Sequence, residues 1–77
     1  MPQDEELAIE TYQTSKDNLA LAERIENKNN IKYTEGLATS FELRQAQTQL
    51  YTAQQEYLQA MVDVINRKTE LENILNL

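Results

Sequence analysis

With 77 residues, a formal net charge of −6 and neither cysteine nor histidine, the chain excludes several classes of function at once. Disulfide staples, thiolate or imidazole chemistry and His/Cys metal ligation have no residues to work with. Seven scattered Lys and Arg against thirteen Asp and Glu cannot form a duplex-binding face, so no nucleic-acid partner is expected, and the chain is short for an independent enzyme.

A single Gly and a single Pro leave little chain for loops; an average domain carries roughly 7% and 5% of these residues. Good helix formers (Ala, Leu, Gln, Glu, Lys, Arg) dominate and no alternation is sustained, so an all-α fold is expected. No run of about 18 apolar residues occurs, so this segment is not expected to be embedded in a membrane. The opening MPQDEELAIE lacks the basic and apolar regions of a signal peptide. Any secretion signal is expected to lie outside this segment.

The first helix is expected from about Gln3 to Thr34, with Pro2 tolerable at its start. Asp4, Glu5 and Glu6 face the positive end of the helix dipole, and Lys28 and Lys32 occupy the opposite end. Tyr12, Leu19 and Tyr33 fall at seven-residue multiples, accompanied by Ala8, Ala22, Leu7, Leu21 and Ile25. Glu26 stands where this seam expects an apolar group, and Asn27, Asn29 and Asn30 follow it. Asn is a poor helix former, so this stretch is expected to bend, fray or line water, a solvated face being the plainer alternative.

The turn is expected at about residues 35–39. Gly36 is the only residue able to take a left-handed, helix-ending conformation without a Cβ penalty. Thr39 with Glu42 has the spacing of a capping box, in which hydroxyl and carboxylate each satisfy the other residue's amide. A helix stop followed so closely by a helix start makes the two helices antiparallel neighbours, each arm about 50 Å long.

The second helix is expected over about residues 40–75, and it carries the clearest repeat. Leu43, Leu50, Tyr57, Val64 and Leu71 recur every seven residues, with Ala46, Ala53, Ala60, Arg67 and Ile74 three positions on, completing an a/d seam. Small alanines at d allow close approach of a partner helix. A second stripe, Tyr51, Leu58, Met61, Ile65 and Leu75, runs beside the first. Two-stranded packing buries only the narrow a/d seam, so this helix needs more than one neighbour. The chain either oligomerises or belongs to a larger helical assembly. Its carboxylates are spread along solvent faces and no Gly-rich phosphate loop occurs, so neither catalysis nor a cofactor is expected.

The segment Asn18-Leu19-Ala20-Leu21-Ala22-Glu23-Arg24, then Lys32-Tyr33-Thr34-Glu35-Gly36-Leu37-Ala38-Thr39-Ser40-Phe41-Glu42-Leu43 and Ala46-Gln47, resembles the TolC family of outer-membrane efflux proteins. The stretch Gln54 to Leu77, with Tyr57, Ala60, Asn66 and Leu71, fits the same comparison. The similarity is to the end of the second periplasmic helical hairpin furthest from the outer membrane. It covers nearly all of this chain and a minor part of a full family member.

The resemblance implies an antiparallel, coiled-coil-like hairpin that is a fragment of a trimeric α-helical barrel, in the periplasmic portion of a Gram-negative outer-membrane protein. The partners it implies are a periplasmic adaptor (membrane fusion) protein, sister subunits of a homotrimer and, indirectly, an inner-membrane pump. The function would be multidrug or other small-molecule efflux, with Glu35, Gly36, Leu37, Ala38, Thr39 and Ser40 as the adaptor-docking tip. Tyr33 falls on a tyrosine that ties helices at the closed channel end, and Glu42 on an acidic position of the constriction. Gln45 replaces a second acidic residue and Ala38 an arginine tether, so a gate formed by Tyr33, Glu42 and Gln45 would differ in construction from the family's.

Simpler roles stand beside these. The capping box alone accounts for Glu42, and Tyr33 is also the last seam residue before the turn. Leu37 and Phe41, apolar at an exposed turn, suggest a contact surface. A freestanding coiled-coil scaffold or oligomerisation module is the alternative function. A hairpin of the adaptor itself fits less well: its tip carries an Arg, a Leu four on and a Ser seven beyond, where this chain has Arg44, Thr48 and Gln55.

Overall fold

The computed structural model describes the backbone of residues 2–75 and the side-chain environments of residues 5–73. Helix α1 spans Pro2–Thr34 and helix α2 spans Ser40–Leu75, and the described residues contain no strand. The two helices pack along their length as an antiparallel hairpin measuring 62 × 13 × 12 Å. The radius of gyration is 17.5 Å, against about 11 Å for a compact domain of this length. The molecule is therefore a rod with a seam instead of an interior.

The turn is built by backbone hydrogen bonding. Gly36 has φ 76°, the left-handed conformation expected of it. Its amide donates to the Tyr33 carbonyl at 3.0 Å and the Leu37 amide to the Lys32 carbonyl at 2.8 Å, the paired bonds of a Schellman motif. These satisfy carbonyls that the end of α1 would otherwise leave without donors. Thr39 then caps α2: the Glu42 amide donates to its Oγ1 at 3.1 Å, and the Leu43 amide closes the first turn on its carbonyl at 3.1 Å. The return bond from the Glu42 carboxylate to the Thr39 amide is not made. Only half of the capping box forms, because the exposed carboxylate is hydrated as readily as it is bonded.

Burial reveals how the seam is arranged. Ala8 and Ser15 on α1, with Ala46, Ala53 and Ala60 on α2, are the buried ones among the described residues. All five sit at d in a common heptad frame. The large a residues, Tyr12, Leu19, Leu43, Leu50, Tyr57 and Val64, are only half-buried. The helices thus meet along small d side chains and approach closely, and the larger a side chains stand to one side of that contact line. Met61, beside the a row, is half-buried, while the g residues of the opposite flank (Thr11, Asn18, Gln49, Glu56, Asp63) are exposed. One side of the contact line is consequently lined by the half-buried a residues and the other by mostly polar g residues, Ile25 being the apolar exception.

The Tyr12 and Tyr57 rings fix the alignment, with centroids 5.4 Å apart and planes tilted by 31°. Extending this pairing by one heptad on each helix sets Leu19 opposite Leu50, and by two sets Glu26 opposite Leu43. Glu26 and Asn29 are half-buried in this last stretch of the seam. The helix nevertheless continues unbroken through Asn27, Asn29 and Asn30 to Thr34, so the expected fraying is absent from the backbone. Thr34 supports the final turn by donating its hydroxyl to the Asn30 carbonyl at 3.0 Å. The seam residue Ile74 and the stripe residue Leu75 have side chains outside the described residues.

Candidate functional site

The tip follows from the Schellman turn. With the chain reversed between Thr34 and Ser40, no part of it folds back over the connecting segment, and Glu35, Gly36, Leu37, Thr39 and Ser40 are all exposed, with Ala38 half-buried. Leu37 and Phe41 are 73% and 72% exposed, the highest values among the described large hydrophobic residues. A Schellman motif often buries the residue after its glycine against the preceding helix turn. Here Leu37 is exposed instead, and no described residue covers it. Phe41, on the first turn of α2, borders a shallow open concavity with Arg44, Gln45, Thr48 and Gln49.

A Cβ built on Gly36 would meet no atom within 4 Å. Space therefore does not demand glycine there; the positive φ does.

The three residues singled out for a gate are not gathered within one hairpin. Tyr33 occupies the a row of α1 and is 45% exposed. Glu42 lies in the g row of α2, on the other side of the contact line, with Gln45 three residues further along the same flank; both are exposed. No hydrogen bond joins these three side chains among the described residues. Any closure made from them requires side chains from other hairpins.

Two features of the seam are not singled out by apolar patterning. Ser15 is buried, at 7% exposure, and its hydroxyl donates to the Tyr12 carbonyl at 2.8 Å. A serine does not register as seam, but its place midway between Ala8 and Ala22 at heptad spacing was a usable signal. The second is the Tyr12–Tyr57 pair, whose hydroxyl oxygens lie 3.1 Å apart, either able to donate. Both tyrosines stand in the a row, so heptad position places them on the same seam, but counting residues outward from the turn does not set them opposite each other. The hydrogen bond with Tyr12, then partial desolvation and the neighbouring phenol's charge, raise the Tyr57 pKa above its ordinary 10.0, because each favours the neutral phenol.

On the g side of the contact line, an open groove is lined by Glu10, Thr11, Thr14, Ser15, Asn18, Glu56, Gln59, Ala60 and Asp63. Its carboxylates do not converge: no group of acidic residues able to hold a metal ion occurs among the described residues. No described helix is long and apolar enough to cross a membrane. What this arrangement offers chemically is contact surface, at the tip and along the exposed apolar residues of the rod. No protein-family model, curated protein or solved structure matches the chain.

Proposed function

We propose that this hairpin is the periplasmic tip segment of an outer-membrane efflux channel, docking a periplasmic adaptor protein and opening or closing the channel end without catalysis. The observation that carries this reading is the display of Leu37 and Phe41, each more than two-thirds exposed, on a turn held by two backbone hydrogen bonds and a threonine cap. A preformed apolar knob at the end of a rod loses little conformational entropy on binding, the property expected of a docking point. The distribution of apolar residues along the rod agrees with it. Leu7 and Leu21 on α1 and Tyr51, Leu58 and Ile65 on α2 are exposed on the outer flanks of the pair, as helices flanked on both sides in a barrel wall require.

In such a wall, Glu42 from three subunits would present a ring of carboxylates that favours cations. Tyr33, on the other flank, would contact a neighbouring hairpin. The direct test is binding of the parent trimer to the coiled-coil hairpin of its cognate adaptor. Leu37→Asp should abolish binding while leaving the helices intact, and Gly36→Pro should abolish it by denying the positive φ. Absence of any contact between the unaltered trimer and the adaptor would overturn the proposal.

The alternative, a freestanding coiled-coil oligomerisation module, is favoured by one observation: the exposed apolar residues along the rod could be covered by further copies of the hairpin alone. The full open reading frame separates the two. A parent with a signal peptide and amphipathic strands supports the channel, and a short complete gene supports the module.

A further inference from the structure

At seven-residue intervals the outer row of α2 reads Arg44, Tyr51, Leu58, Ile65 and Glu72. Tyr51, Leu58 and Ile65 are 62%, 48% and 56% exposed, and the charged residues at both ends are exposed as well. Neither end charge has an ion-pair partner among the described residues. We infer that this row is a self-complementary contact: two copies of the chain pair α2 against α2, antiparallel, about a two-fold axis through Leu58.

The order of the residues selects both the partner and the orientation. A two-fold axis at Leu58 sets Arg44 against Glu72 of the partner subunit at each end. It sets Tyr51 against the partner's Ile65 twice, and Leu58 against its own copy, so every position meets a group of matching chemistry. Parallel pairing instead opposes Arg44 to the partner's Arg44 and Glu72 to the partner's Glu72, two like-charge contacts that oppose association. A slip of one heptad sets Arg44 against an isoleucine and leaves Glu72 without a counterpart. The charged ends thus fix register, while the apolar centre supplies the attraction. The contact runs for about 42 Å, at 1.5 Å per residue. The pairing does not rest on the channel reading: a barrel wall would cover the same Tyr51, Leu58 and Ile65, so the pairing concerns the chain outside such a wall.

Sedimentation equilibrium of the 77-residue chain tests it, the expected result being twice the 9.0 kDa chain mass at high micromolar concentration. Leu58→Glu should give a monomer with unchanged helical circular dichroism, since Leu58 faces away from α1. Arg44→Glu should weaken the dimer about tenfold by turning two attractions into two repulsions, and Arg44→Glu combined with Glu72→Arg should restore it. The chain has no native cysteine, so single thiols report geometry cleanly. Leu58→Cys should form a disulfide-linked dimer under mild oxidation. Tyr51→Cys alone should not, and Tyr51→Cys mixed with Ile65→Cys should. A monomer at all concentrations, a trimer, or crosslinking by Tyr51→Cys alone as ready as by Leu58→Cys would overturn the inference.

Discussion

Replacing Ala53 by Leu tests whether the helices meet on their small residues. Ala53 is 8% exposed and sits in the d row that packs against the α1 d row, where Ser15 is 7% exposed. Leucine adds three carbon atoms. If they found apolar space they would stabilise the hairpin by roughly 2 kcal/mol, at about 0.8 kcal/mol for each carbon taken from water. Helix propensity changes little, because Leu is nearly as good a helix former as Ala. The close approach permitted by alanine leaves no such space, and forcing methylenes into a filled seam typically destabilises by about 1–3 kcal/mol. The two effects have opposite signs, so the experiment decides between them. The Ala53→Leu hairpin should unfold at a lower temperature by about 4–8 °C per kcal/mol for a chain of this size, as followed by circular dichroism at one fixed protein concentration. Leu21→Ala, on an exposed row of α1 away from both the seam and the outer row of α2, serves as the control for a change in side-chain size. An Ala53→Leu chain as stable as the original, or more so, would refute the packing argument and place the contact line on the a row.

Gly36→Ala should destabilise by about 1–2 kcal/mol in urea unfolding, purely from the left-handed φ of 76° since no atom obstructs a Cβ; Gly36→Asn should lose less. Thr39→Ala removes the hydroxyl that caps α2 and should lose about 0.5–2 kcal/mol, detectable also as faster amide exchange at Glu42. Glu26→Leu should stabilise the hairpin, because it replaces a half-buried carboxylate opposite Leu43 with an apolar side chain, and an unchanged urea midpoint would refute that alignment. The raised Tyr57 pKa makes stability depend on alkaline pH. The neutral phenol is favoured in the fold, so this contribution is fully present below pH 10.0, the ordinary value, and disappears as the pH rises through the higher folded value. Tyr57→Phe should abolish that component of the alkaline loss, measured as the difference in urea midpoint between the two chains across this range.

Much of the fold was legible because its signals are local. A glycine whose backbone requirement no other residue meets, a threonine at the cap and an unbroken supply of helix formers specify two helices and the point at which they reverse. The tip was legible for the same reason: Leu37 and Phe41 lie too close to the turn for either helix to cover them. Half of the expected capping box failed to form because an exposed Glu42 gains little by returning to the backbone, an energetic margin that spacing cannot convey. The expectation of fraying near Asn29 weighed intrinsic propensity alone, whereas the helix also holds there through contact with α2 and the Schellman bonds at its end.

The sequence by itself determined an antiparallel pair of helices and the place of its turn. Only the tertiary structure decided which side of each heptad forms the contact. The a and d rows are equally regular in the sequence, but the distance between helix axes is set by whichever side chains meet. Once alanine and serine meet, the axes come close, the larger a residues move to one face, and Tyr12 and Tyr57 are left side by side with their hydroxyls paired. That displacement leaves a half-open row of a side chains along one side of the seam, and it is a property of two helices together that neither sequence segment contains alone.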